Sequence, residues 1–458
     1  MTKDPDFESL RAIDPHGLWL GKPAPRYTSY PPAPFFRNDM AAADFVTALK
    51  AMPPDEPISL YIHIPFCRVL CLYCGCNTAV THRDDRLADY VRVLRREIAM
   101  MASYIGRRPV SHLHFGGGTP NILPAPVVRD LFEQLRRSFD LDAAHEIAVE
   151  LDPRSVTREQ VDVLAECGVN RVSLGVQDFN PEVQEIVHRI QPYQMVADVC
   201  QWLRDKGIIR INFDLMYGLP KQTPESVAET VDKALGLHPS RVAIFSYAHV
   251  PQMKKHQQAL EAYGLPTILD RLAQDSASRA VIAHHGYREI GMDHYAAPDD
   301  PIIAAMDEGR LARNFQGYTD DTAKVLLGIG ASSISYTPMG YYQNARDEDD
   351  YKTLIEGGEF AICRGFVLSD EDKLRATIIE QLMCSFSCDV DEVCRQHGLS
   401  AALLADSLAA LVPYERAGLV ARDAGRMTIH SPHPMAARVI CTVFDTYTAG
   451  RAAATVAA

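Results

Sequence analysis

The stretch SLYIHIPFCRVLCLYCGCN, residues 59–77, decides the fold. Its first six residues have the length and composition of a β-strand. They run directly into Cys67, Cys71, Cys74 and Cys76, four thiols within ten positions. A strand that opens into a knot of thiols carries a site at its C-terminal end. What the fold is depends on whether the rest of the chain repeats that arrangement.

It repeats five times, in HLHFGG (112–117), IAVEL (147–151), RVSLGV (171–176), INFDLMYGL (211–219) and RVAIFSYA (241–248). Helical patterns lie between the strands, at 124–138, 157–167, 181–206 and 224–236. In 84–103, Leu87, Tyr90, Val91, Leu94, Ile98 and Met101 share one helical face. Such alternation predicts an α/β fold with a parallel sheet and right-handed crossovers. Six units rather than eight predict a partial barrel or an open sheet, with ligands at the C-terminal strand ends. The polar residues agree. The strands end in the cysteine loop, GGGTP, Glu150 and Asp152, Gln177 and Asp178, Asp214 with YGLP, and Tyr247–His249.

The remaining organisation is coarser. Residues 1–50 read as an extended, proline- and aromatic-rich arm, 51–330 as the barrel and 331–365 as a connecting segment. Residues 366–458 read as a mostly helical domain resembling a winged helix. It opens on a cap at Ser369 with Asp372, then a helix, helices at 389–397 and 400–417, a hairpin at DAGR and a last helix at 434–447. A further helix is expected at 268–285.

Composition narrows the function. The chain has 458 residues, 47% hydrophobic and 23% charged, with no apolar run of membrane-spanning length. The polar start lacks a secretory signal's apolar core, so a cytoplasmic protein is expected. The net charge of −13 disfavours nucleic acid and anionic lipid as partners. In a reducing compartment the eleven cysteines are not expected to form disulfides. Cys167, Cys200, Cys363 and Cys441 read as core residues, as do Cys384, Cys388 and Cys394. The group at 67–76 reads as metal-binding.

Its spacing, C-x3-C-x2-C, departs from the paired C-x2-C knuckles of zinc sites. Cys76, one residue beyond Cys74, diverges from it in an extended loop and reads as a non-ligand. Three thiolates on an iron–sulfur cluster leave one iron open. An amino acid can chelate that iron, and S-adenosylmethionine (SAM) is such a molecule. An electron from the cluster can then cleave its S–C5′ bond, giving methionine and a 5′-deoxyadenosyl radical. The spacing, with the aromatic Tyr73 before the third cysteine, resembles the signature of the radical-SAM superfamily. Glu150, Asp152, Gln177 and Asp214 read as acceptors for ribose hydroxyls, or as strand-end groups bound to nearby backbone N–H.

RYTSYP, YIHIPFC, CGCN, HFGGGTP, ELDPR, SLGVQDFN, DLMYGLPKQT, GMDHYA, RNFQGYT and FDTY occur in this order over nearly the whole chain. Together they resemble the oxygen-independent coproporphyrinogen III oxidase (dehydrogenase) family. The resemblance implies a partial (β/α)6 barrel with an N-terminal arm and a helical C-terminal domain. It implies oxidative decarboxylation of the ring A and B propionates of coproporphyrinogen III to vinyls, on the anaerobic route to haem. It implies a 4Fe–4S cluster on Cys67, Cys71 and Cys74, with Tyr61, Gly117, Glu150 and Ile334 at the chelated SAM. A second SAM would meet Tyr73, Gly118, Thr119, Gln177, Arg189, Asp214 and Ala248, two being consumed per substrate.

An electron donor such as flavodoxin or ferredoxin is implied as partner, and a monomer is expected. Arg26, Tyr27, Tyr30 and Arg313 are candidates for holding the substrate propionates; the alternative is that both arginines pin the arm and loop through ion pairs. A sister family of haem chaperones shares barrel and cluster but generally lacks the RYTSYP arm and has Phe where Cys76 stands. A further alternative is another radical-SAM enzyme acting on tetrapyrroles. Cys76 is left as a proton or hydrogen-atom donor near the second SAM, or as packing under GCN.

Overall fold

A computed structural model describes residues 13–430 and 434–448. Six strands form the expected parallel run: β1 (Ile58–Ile64), β2 (Val110–Gly117), β3 (Glu146–Leu151), β4 (Arg171–Gln177), β5 (Arg210–Tyr217) and β6 (Arg241–Ser246). Period-two sidedness builds the barrel wall. On β1, Ile58, Leu60, Ile62 and Ile64 are buried in the core shared with the helix Asp84–Ile105. Tyr61 and His63, at the alternate positions, face the barrel interior with His114. Local signals start the crossover helices. Thr157 accepts from Gln160 N–H ahead of Arg158–Glu166, and Thr223 caps Pro224–Leu235. Each such cap contributes about 1 kcal/mol.

The run does not close on itself, as a partial barrel requires. Beyond β6 lie two short antiparallel strands, β7 (Arg288–Glu289) and β8 (His294–Ala296), with β8 paired to β6. Beyond β1 lies β9 (Leu326–Ile329), parallel to it, then antiparallel β10 (Ile334–Thr337), β11 (Gly340–Asn344) and β12 (Ile362–Val367). The sheet therefore has twelve strands. Residues 331–365, expected to be a connection, extend the barrel wall instead. Their strands are short and glycine-interrupted, so no alternation marks them.

The helix expected over 181–206 is two, Pro181–Ile186 and Tyr193–Asp205. Pro192 lacks the N–H that a continuous helix needs and drives Gln191 out of helical geometry. His188 adopts a left-handed φ of 57° in the gap. The interruption carries Arg189 to the site.

In the C-terminal region Ser369 Oγ accepts from Asp372 N–H at 3.1 Å, starting Asp370–Ser385. Strands Ser387–Asp389, Val420–Asp423 and Arg426–Ile429 make a small antiparallel sheet, in keeping with the winged-helix resemblance. The expected helix 400–417 is split into Ala401–Leu404, Ala405–Ala410 and Val412–Arg416. The final helix is only Met435–Cys441, followed by a 3-10 turn at Thr442–Phe444. Among the described residues the arm forms no long helix before Ala42–Lys50, which the sequence did not announce. Residues 1–12 of the expected arm and 449–458 of the expected last domain lie outside the described residues. No helix among the described residues is long and apolar enough to cross a membrane.

Candidate active site

The C-terminal ends of β1 to β5 surround a cavity of about 200 Å³ lined by Cys67, Cys71, Cys74 and Cys76. Two glycines bring the second strand's exit against the cysteine loop. Gly118 N–H donates to Ile64 O at 2.8 Å, and Thr119 N–H to Phe66 O at 2.8 Å. A Cβ at Gly118 would stand 2.6 Å from Phe66 O, and one at Gly117 (φ +115°) 2.5 Å from the His63 ring. Only glycine permits this approach.

Hydrogen-bond donors converge on the thiols. Thr119 Oγ1 donates to Cys67 Sγ at 3.2 Å, and Thr78 Oγ1 lies 3.2 Å from it. Arg189 and Arg154 point guanidinium nitrogens at Cys71 Sγ from 3.5 and 3.6 Å. The two arginines share Asp152, with Arg154 at 2.6 Å and Arg189 at 3.4 Å. Burial opposes the Asp152 charge, but the two guanidiniums hold its carboxyl below the usual range. Arg189 Nε remains buried without a hydrogen-bond partner among the described residues.

Carboxylates line the inner wall. Glu150 receives His114 Nε2 at 3.1 Å and the Gly117 N–H at 3.2 Å. Against the cost of burial, His114 and the Gly117 N–H keep it below the usual carboxylate range. Asp214 accepts from Ser173 at 2.8 Å and Asn212 at 3.0 Å, yet burial pushes it up to about 6. A register shift between Gly175 and Gln177 ends β4, and Gln177 sits at φ 67°. A bulge of this kind re-aims the side chain at a strand end.

Of the residues expected at SAM, eight line this cavity: Tyr73, Gly117, Gly118, Thr119, Glu150, Gln177, Arg189 and Asp214. Tyr61, Ala248 and Ile334 do not. Tyr61 stacks on His114 with ring centroids 5.8 Å apart, Ala248 is tied to the loop through Gln257, and Ile334 begins β10. Cys76 lines the cavity beside Cys74. Arg26, Tyr27, Tyr30 and Arg313 lie elsewhere. The hydroxyls of Tyr27 and Tyr30 engage Asp445 at 3.0 Å and Thr446 at 3.2 Å. Tyr27, Tyr30 and Arg313 line a second cavity, of about 390 Å³.

Sequence reasoning missed the segment that clamps the cysteine loop. Lys254 Nζ donates to Cys76 O at 2.6 Å, and His256 Nε2 lies 2.8 Å from Cys74 O. The buried Gln257 amide bridges Tyr73 O at 2.9 Å and Ala248 O at 3.3 Å. No periodicity or spacing in KKHQQ reveals this. Arg154 was quoted within ELDPR, but its contact with Cys71 was not foreseen.

The donor set tests which group the thiols fit. The N–H and O–H donors aimed at Cys67 and Cys71 fit an anionic thiolate centre.

The radical-SAM superfamily profile matches residues 61–234, from β1 into the helix after β5. The chain is 44% identical over 424 residues to an oxygen-independent coproporphyrinogen III oxidase from Bradyrhizobium diazoefficiens, covering 92% of this chain and 94% of that one. It is 41% identical to its counterpart in Paracoccus denitrificans, covering 96% and 98%. The chain belongs to the oxygen-independent coproporphyrinogen III oxidase family. The solved coproporphyrinogen III oxidase from Escherichia coli, described as a radical-SAM enzyme, superposes with a TM-score of 0.89 at 39% identity, covering 92% and 97%. As a member of this oxidase family the chain is a radical-SAM oxidoreductase, and the family implies a 4Fe–4S cluster and SAM. The likeness extends past the shared barrel to the arm and the C-terminal region.

Proposed function

We propose that the chain oxidatively decarboxylates the ring A and B propionates of coproporphyrinogen III, giving protoporphyrinogen IX. The observation that carries the reading is the rim cavity lined by Cys67, Cys71 and Cys74, with donors aimed at the first two thiols. It occurs in a chain nearly coextensive with its coproporphyrinogen-oxidising relatives.

Cys67, Cys71 and Cys74 would hold the cluster, and its open iron would take the amino and carboxylate groups of SAM. When bound, the pair supplies one-electron cleavage of SAM and hydrogen-atom removal from a propionate β-carbon, after which loss of CO2 and one electron leaves the vinyl group. The chain's own residues bind, orient and hold charge. Arg154, Arg189, Thr78 and Thr119 stabilise thiolate charge at Cys67 and Cys71 through charge-assisted and hydroxyl hydrogen bonds. Glu150 and Asp214 retain acceptor capacity for ammonium and ribose groups. Tyr61 and Ile334 would pack beside the same cofactor. The Lys254–Gln257 clamp fixes the loop backbone, so the site keeps its geometry when a ligand enters.

Tyr73, Gly118, Thr119, Gln177, Arg189, Asp214 and Ala248 would serve a second SAM, consistent with two propionates per substrate. Flavodoxin or ferredoxin would supply the electrons, in a monomer working in the cytoplasm. The arm, present here and described from residue 13, favours the oxidase over the haem-chaperone reading.

The test is anaerobic. Reconstituted protein with reductant, SAM and coproporphyrinogen III should form protoporphyrinogen IX with two 5′-deoxyadenosines per product. Deoxyadenosine without decarboxylated product would remove the reaction and leave only the superfamily.

A further inference from the structure

Three arginines, Arg26, Arg313 and Arg438, gather beside β6 around Asp293. Arg313 lies with its guanidinium 4.5 Å from the Tyr318 ring centroid. That ring is locked, because Tyr318 OH accepts the Met292 N–H at 2.9 Å and donates to Met383 O at 2.8 Å. Arg313 Nε and one terminal nitrogen are buried without a hydrogen-bond partner, and the side chain forms no ion pair among the described residues. Glu380 reaches only the Arg313 backbone N–H, at 3.1 Å. Arg26 stands over Phe245 at 5.5 Å, and its guanidinium makes one hydrogen bond, to Ser246 O at 3.4 Å. Arg26, Arg438 and Arg313 act on the buried carboxylate of Asp293, against the field of a second carboxylate, Asp275. His294 adds no further cation: burial and then the field of Arg313 push it down to about 3, so it is neutral.

Neither Arg26 nor Arg313 makes an ion-pair contact among the described residues, although both feel the nearby Asp293 carboxylate. A buried guanidinium with unsatisfied N–H groups is costly, and its planar fork matches a carboxylate. We propose that Arg313, with Arg26 as a second prong, is the binding site for a carboxylate of the tetrapyrrole. The inference rests on the function proposed above and adds which side chains read the acid. The cavity that Arg313 lines has the complementary wall for an apolar macrocycle, in Tyr27, Tyr30, Phe315, Tyr336 and Tyr341. Tyr318 holds the guanidinium in place before the ligand arrives, which lowers the ordering cost of binding.

The probe is coproporphyrin III, the stable oxidised tetra-acid, titrated into the purified protein by fluorescence, beside its tetramethyl ester. The unaltered protein should bind the acid more tightly than the ester. Arg313→Gln should weaken acid binding about tenfold to hundredfold and leave ester binding unchanged. Arg313→Lys keeps the charge and loses the fork, and Arg26→Gln removes the outer prong. Each should give a smaller loss, and either can stand in if Arg313→Gln misfolds by its thermal transition. Acid binding undiminished in all three folded variants, or ester bound as tightly as acid, would overturn the inference while the decarboxylation remains. Failure of the unaltered protein both to bind coproporphyrin and to convert coproporphyrinogen would bring down the functional reading, and this inference with it.

Discussion

The two ends of the barrel wall both carry charge and use it differently. At the N-terminal end, the charges of Arg171, Arg241, Glu146, Asp300 and His112 are answered within the chain. Arg171 meets Glu146 at 2.5 Å and Asp300 at 3.4 Å, and Arg241 meets Asp300 at 2.7 Å. His112 lies 3.1 Å from Asp321 and 3.5 Å from Asp320. Against burial, those two carboxylates push His112 up to about 9, so it is a cation. His112, Glu146 and Asp320 do place ligand atoms within 4.8 Å of one another. The His112 imidazole is already engaged by Asp320 and Asp321, and Arg171 already answers Glu146. At the C-terminal end the pairing is incomplete. Arg189 Nε is buried without a hydrogen-bond partner among the described residues, while its guanidinium is turned to the Cys71 thiol. Charge satisfied internally makes a floor, and charge left for a ligand makes a site.

The sharpest break in this comparison is at the thiols. Cys71→Ala should abolish cluster loading and both products while the thermal transition stays close to that of the unaltered protein; iron analysis and product chromatography check it. The floor should behave in reverse. Arg171→Met strands the buried Glu146, leaves Asp300 to Arg241 alone, and should cost about 3–5 kcal/mol in denaturant unfolding, with cluster loading retained in the folded fraction. A smaller contrast comes from Arg189→Met, expected to weaken SAM binding about tenfold with less than half the stability loss of Arg171→Met. Equal stability losses at the two positions would erase the distinction between floor and rim.

A pH-dependent effect concerns Glu97, which is buried behind β1 and holds the Gly330 N–H at 2.7 Å, Asn344 at 2.7 Å and Tyr351 at 2.6 Å. Burial pushes its pKa up to about 6 despite those bonds. The folded state thus holds the proton more tightly than the unfolded chain. Its stabilising contribution is complete below about pH 4 and is lost as pH rises through about 6. Unfolding free energy should fall by about 2 kcal/mol across that window on this account, and Glu97→Gln should flatten the slope.

What the sequence disclosed follows from range. Period-two strands, helix caps and the cysteine spacing are local, so β1 to β6 and the thiol loop were legible. The floor was not, because its pairs join residues far apart: Arg171 to Asp300 and His112 to Asp321. Strands β9 to β12 hid because strands of four to six residues in a glycine-interrupted stretch show no clear period. Arg189 is instructive. Apolar periodicity carried a helix straight through it, and only the family resemblance marked it as functional. The helix break at Pro192 that positions it was readable and was passed over. The Lys254–Gln257 clamp acts through backbone carbonyls of the cysteine loop, which leave no sequence trace.

The central claim is that three thiols at the rim hold a cluster with one position open to SAM. Electron paramagnetic resonance of the anaerobically reconstituted, reduced protein tests it directly, before and after SAM is added. The account predicts a reduced 4Fe–4S signal whose g values shift on SAM addition, with the signal absent in Cys71→Ala. A spectrum indifferent to SAM, or a colourless protein that takes up zinc instead of iron, would contradict it.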